Sequence, residues 1–156
     1  MIKLRKCRII FEQALRQCSE DEETKLAIAA CFHDIGLWSD QTVDYIPPSI
    51  VQAKRYLTET GQDDWSEEIG LMIEWHHKVR RYRDDQFPLV EVFRKGDLVD
   101  LSLGFFKCGL PKSFVNEVKA RIPNAGFHRF LMIPCWNCEP GHSPNGESSW
   151  LSPKRT

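Results

Sequence analysis

Apolar side chains return every three or four positions through most of this 156-residue chain, a spacing that commits it to helices. From Ile2 to Gln17 they fall at Leu4, Cys7, Ile10 or Phe11, Ala14 and Leu15. Ser19-Glu20-Asp21-Glu22 has the pattern of a capping box, with acidic residues where the helix dipole favours them. It opens a second helix through Leu26 and Ala30 to His33. Pro47-Pro48-Ser49 starts a third, Ile50 to about Thr60, stopped by Gly61. Asp64 and Glu67 form another capping box ahead of a fourth, which carries Ile69, Met72, Ile73 and His76 on one face. Leu89 to Leu103 reads as a fifth, with Val90, Phe93, Asp97 and Asp100 or Leu101 on one stripe. Pro111 opens a sixth, Lys112 to Arg121, and Phe127 to Ile133 is a short apolar piece that would be a seventh. No alternating strand pattern with hairpin signals interrupts this series, and there is no internal repeat. The expectation is all-α: a single-domain bundle of six or seven helices over residues 1–133. Over 134–156 the prolines and glycines of an irregular tail forbid regular helix.

Length and composition fit one soluble domain with a core of its own: 42% of residues are hydrophobic and 28% charged. With 21 basic and 22 acidic side chains, the charge balance gives no general attraction to nucleic acid or anionic lipid. No apolar run approaches the roughly 20 residues of a membrane span. The basic start (Lys3, Arg5, Lys6, Arg8) leads into no uninterrupted apolar segment, so a cytoplasmic location is expected. In that setting Cys7, Cys18, Cys31, Cys108, Cys135 and Cys138 are expected to be reduced.

The chemistry concentrates at His33-Asp34, set in the apolar run from Ala29 to Trp38. Burying an imidazole and a carboxylate without partners would cost roughly 2–7 kcal/mol for a polar group and more for a charge. A hydrogen-bond network or a metal ion must hold them. Neighbours on a helix point about 100° apart, so both reach one ion only near a helix end or bend, and Gly36 supplies such an end. Asp97, in another mostly apolar helix, would complete a set of one imidazole and two carboxylates. That donor set suits Mn²⁺, Fe²⁺, Mg²⁺ or Zn²⁺. A divalent ion of this kind lowers the pKa of its water and polarises a phosphoryl oxygen. His76, His77 and Lys78 are the candidates for proton transfer or phosphate contact. The plainer alternative is a salt-bridge or capping network among His33, Asp34 and Asp97, with His76 a core histidine satisfied by a backbone carbonyl.

Four stretches together resemble the HD-domain superfamily of metal-dependent phosphohydrolases: Ala27 to Trp38, Asp44 to Ser49, Ile73 to Lys78, and Asp97 to Asp100. The resemblance runs over roughly Lys3 to Phe130 and is nearest to small single-domain bacterial members. It implies an all-helical bundle in which an early His, a His-Asp pair and a late Asp bind a divalent metal. The pair maps onto His33-Asp34 and the late Asp onto Asp97. It further implies hydrolysis of a small-molecule phosphate ester, perhaps of a nucleotide. This chain departs from the pattern at one position: no histidine precedes His33, and the corresponding window holds Arg5, Lys6 and Cys7. The alternative is therefore an HD fold that binds a ligand or partner without catalysis. Lys78, Arg80, Arg81 and Arg83 form a basic stretch suited to a phosphate. Cys135, Cys138 and His142 resemble part of a zinc knuckle with no second pair to complete it; a loose tail with reduced thiols is the simpler reading.

Overall fold

The computed structural model describes residues 18–40, 42–102 and 104–121, and regular structure among them is helical throughout. The capping box at Ser19 forms as the sequence suggests. Glu22 N–H donates to Ser19 Oγ at 3.3 Å and Ser19 N–H to the Glu22 carboxylate at 2.7 Å, opening α1 (Glu20–Phe32). After a turn at residues 33–35 comes the short α2 (Gly36–Ser39), then α3 (Ile46–Glu59). A 3₁₀ turn (Asp63–Trp65) leads into α4 (Ser66–Trp75), followed by α5 (Pro88–Leu101) and α6 (Lys112–Arg121). The expected helix over Ile2–Gln17, the piece over Phe127–Ile133 and the tail with Cys135, Cys138 and His142 lie outside the described residues.

Three local expectations are corrected. The Asp64/Glu67 capping box does not form: the chain is already coiled at Asp63, and α4 is entered through Trp65, in helical geometry and with no side-chain cap. A capping side chain needs an extended backbone at its own position. Pro47 and Pro48 lie inside the first turn of α3 rather than before it, where a missing N–H costs nothing. Gly36 opens α2 instead of closing α1. Its role is close packing. A Cβ there would run into the Tyr45 carbonyl oxygen and meet Pro48 Cγ at 2.9 Å, while its N–H donates to the buried Ser49 hydroxyl at 2.9 Å.

Helix α4 packs against α1, α3 and α5. The face read from the sequence, Ile69, Met72, Ile73 and His76, is wholly buried. Around it lie Leu26, Ala29, Ala53, Leu57, Leu89, Val90 and Phe93, and full burial of each large apolar side chain contributes about 1.5–3 kcal/mol. Lys25 of α1 reaches Glu68 of α4 at 2.8 Å, a partly buried pair that fixes the two helices in register. A smaller cluster, Val99, Val115 and Val118, seats α6 on the end of α5.

Candidate metal centre

Two helix ends deliver the site. Both α1 and α4 stop one residue before a histidine, so His33 and His76 each stand at a C-cap. The last carbonyls of a helix have no partner inside it and carry the negative end of its dipole. Each histidine turns its ring back onto one of them: His33 Nδ1 lies 3.0 Å from Ala30 O and His76 Nδ1 2.5 Å from Ile73 O. A carbonyl only accepts, so Nδ1 carries a hydrogen in both rings and Nε2 is the nitrogen turned toward the centre. Beyond each cap the chain leaves the helix, and the next side chain, Asp34 or His77, swings toward the same point.

The Nε2 atoms meet carboxylates. His33 Nε2 is 3.1 Å from Asp34 Oδ2 and 3.9 Å from Asp97 Oδ1. His76 Nε2 is 3.7 Å from Asp34 Oδ1, and His77 Nε2 is 3.8 Å from Asp97 Oδ2. Asp97 comes from the middle of α5, one turn after Phe93, whose ring packs edge-on against His33 at 5.8 Å. His33, His76 and Asp97 are buried, Asp34 is half-buried and His77 exposed. The centre thus has a dry floor and an open mouth on the side of Asp34 and His77.

Imidazole nitrogens and carboxylate oxygens that approach this closely share either protons or a cation, and His76 and His77 have ring centres 3.9 Å apart, His33 and His76 5.2 Å. Asp34, His76 and His77 could hold a metal ion, each offering a ligand atom within 4.8 Å of the others. Imidazole and carboxylate together fit Mn²⁺, Fe²⁺ or Zn²⁺, and the carbonyl bonds to Nδ1 are the outer contacts that orient metal-binding histidines.

Of the residues singled out in the sequence, His33, Asp34, Asp97, His76 and His77 converge. Lys78 does not join them: it is exposed, and its carbonyl accepts from Arg94 at 2.9 Å. Arg80, Arg81 and Arg83 are also exposed, lining a cleft with Trp75 and Tyr82, and Arg80 lies over the Trp75 ring at 4.9 Å. Asp44 is exposed and Asp100 half-buried. Among the described cysteines Cys31 and Cys108 are free thiols.

Two contributors are not among the candidate site residues read from the sequence. Tyr45, just before α3, places its hydroxyl 3.2 Å from His77 Nδ1 and 3.5 Å from His76 Nε2. Burial, the charges of Asp34 and Asp97, and a hydrogen bond to Asp34 raise its pKa well above the usual phenol value, so the hydroxyl keeps its proton. Arg94, buried on α5, forks onto Glu91 at 2.7 and 2.8 Å and donates to the Lys78 and Val79 carbonyls. It ties the segment after His77 to the helix that carries Asp97.

No protein-family model, curated protein or solved structure matches the chain. No helix among the described residues is long and apolar enough to cross a membrane.

Proposed function

We propose that this protein is a metal-dependent hydrolase of a phosphate ester, built on an HD-domain-like helical bundle. One observation supports it above the rest: the ends of α1 and α4 bring Asp34, His76 and His77 together with ligand atoms within 4.8 Å of one another, beside His33 and Asp97. His33, Asp34 and Asp97 would hold the ion, with His76 and His77 adding imidazole donors. Bound there, a divalent cation acidifies water and polarises a phosphoryl oxygen. The chain's own part is positional. The buried floor keeps the imidazoles dry and aimed. His77, exposed at the mouth, is the imidazole that a bound ester would meet first. The substrate class proposed is a small-molecule ester, a nucleotide included.

The test is turnover of a phosphomonoester panel by protein loaded in turn with Mn²⁺, Fe²⁺, Mg²⁺ and Zn²⁺. Hydrolysis that His33→Ala removes is expected; no metal uptake and no hydrolysis with any ion overturns the reading. A second reading rests on one sequence fact, that no histidine precedes His33. A centre short of a donor could bind its ion and ligand without turnover. Stoichiometric metal and phosphate binding with no hydrolysis would select it.

A further inference from the structure

Three arginines that the metal centre does not use share one cleft. Arg80, Arg81 and Arg83 line a hollow of about 460 Å³ together with Trp75, the last residue of α4, and the buried Tyr82. That volume falls within the roughly 300–1,000 Å³ of small-molecule sites. The segment that carries the arginines is pinned at both ends by one largely buried pair. Arg94 donates to the Lys78 and Val79 carbonyls at 2.9 and 3.3 Å, and Glu91 accepts the Tyr82 N–H at 2.9 Å. The backbone is thus ordered before any ligand arrives, which removes part of the cost of binding one. Arg80 is also set in place: its guanidinium lies over the Trp75 ring at 4.9 Å, and Trp75 meets Tyr82 edge-on at 5.1 Å. A guanidinium stacked by its face keeps its charge and leaves its N–H edge for an oxyanion. Like charges gathered in one cleft repel, and among the described residues none of the three arginines forms an ion pair. Neighbouring carboxylates are engaged otherwise: Asp84 accepts from the Gln86 N–H at 2.9 Å, and Glu91 holds Arg94. We propose that this cleft binds a small polyphosphate, either free or as the phosphate tail of a nucleotide, with Arg80, Arg81 and Arg83 as its donors. Each guanidinium can take a pair of phosphate oxygens by charge-assisted bonds, so linked phosphates use the cleft more fully than a single one. The site shares no residue with the metal centre and does not depend on an ion there.

The test is calorimetric titration of the full, metal-free chain with inorganic diphosphate, inorganic triphosphate, a nucleoside diphosphate and the parent nucleoside. One saturating site is expected for the three phosphates and none for the nucleoside. Equal affinity for inorganic and nucleoside diphosphate identifies the free anion as the ligand; tighter binding of the nucleotide identifies its phosphate tail. Arg80→Gln and Arg83→Gln should each lower affinity about 10-fold or more, as loss of a charge-assisted hydrogen bond does, while far-ultraviolet circular dichroism stays helical. Arg80→Lys should lower it as well, because an ammonium keeps the charge and loses the fork. Asp34→Asn alters the metal centre alone and should leave the affinity unchanged. No saturable binding by wild-type protein overturns the proposal. So does an affinity that both glutamine variants retain, or one that falls in Asp34→Asn and not in them, which would place the anion at the metal centre. Binding that strengthens with the length of a single-stranded oligonucleotide, with no saturation by diphosphate, would make the cleft a nucleic-acid contact instead. Because the readout is binding without an ion, a failed hydrolysis panel leaves this result standing, and a failed titration leaves the hydrolase reading untouched.

Discussion

Asp34 faces several members of the centre: its oxygens lie near His33 and His76, and it is a hydrogen-bond partner of the Tyr45 hydroxyl. Asp34→Asn keeps the shape and removes the charge. It is expected to weaken divalent-ion binding at least about 100-fold while far-ultraviolet circular dichroism stays helical, since losing a ligand exceeds the 10–100-fold cost of losing an outer contact. Affinity equal to wild type would take Asp34 out of the site. Gly36→Ala acts from a distance, because the added methyl meets Tyr45, Pro48 and Ser49. Overpacking of this kind costs about 1–3 kcal/mol, read by urea unfolding, and it should lower metal affinity as well by displacing Tyr45. What could be read from residues alone follows the same geometry. His33-Asp34 stood out because an imidazole and a carboxylate interrupt an apolar run. Tyr45 did not, since its partner His77 lies 32 positions away and no local pattern marks the pair.

Helix ends set the donors, and side chains between helices hold those ends. The Glu91–Arg94 pair is the clearest case. Burial pushes the Glu91 carboxyl up, but the Arg94 guanidinium and the Tyr82 N–H outweigh it and hold the group below its ordinary value. A carboxylate shifted down stabilises the fold above its unfolded value of about 4.5. That contribution is lost as pH falls from there through the lower folded value. Glu91→Gln should therefore flatten the acid limb of the stability–pH curve between those limits, measured by thermal unfolding. Arg94→Met leaves the half-buried Glu91 with only Lys95, at 3.8 Å, and the Tyr82 N–H, and should cost about 1–3 kcal/mol. A loss under 1 kcal/mol would mean the pair does not anchor the 78–82 segment. Helices were legible wherever apolar spacing coincided with a cap or breaker, as in α1, α3 and α6. The start of α4 was not, because whether Asp64 caps depends on backbone coiling at Asp63 that composition does not encode.

At the scale of the molecule, the five converging side chains come from three helices, so an ion bound there ties α1, α4 and α5 together. A ligand that binds only the folded state stabilises it by RT ln(1 + [L]/Kd), about 2.7 kcal/mol at one hundred times Kd. Melting temperature should rise with added Mn²⁺ or Zn²⁺, return on chelation, and fail to rise in Asp34→Asn. The all-helical class was plain from periodicity, and the membership of the site followed from buried polar residues in apolar runs. The meeting of residues 33, 76 and 97 depends on how helices cross, which periodicity does not contain; residue type marked Asp97 and His76 as candidate partners of His33-Asp34, and the resemblance in motif order added to that for Asp97. The most direct measurement is an anomalous difference map from crystals soaked in Mn²⁺. A single peak beside Asp34, His76 and His77, within reach of His33 and Asp97, is the predicted result. A site with no peak at saturating ion, its imidazoles paired directly to the carboxylates, would contradict the account.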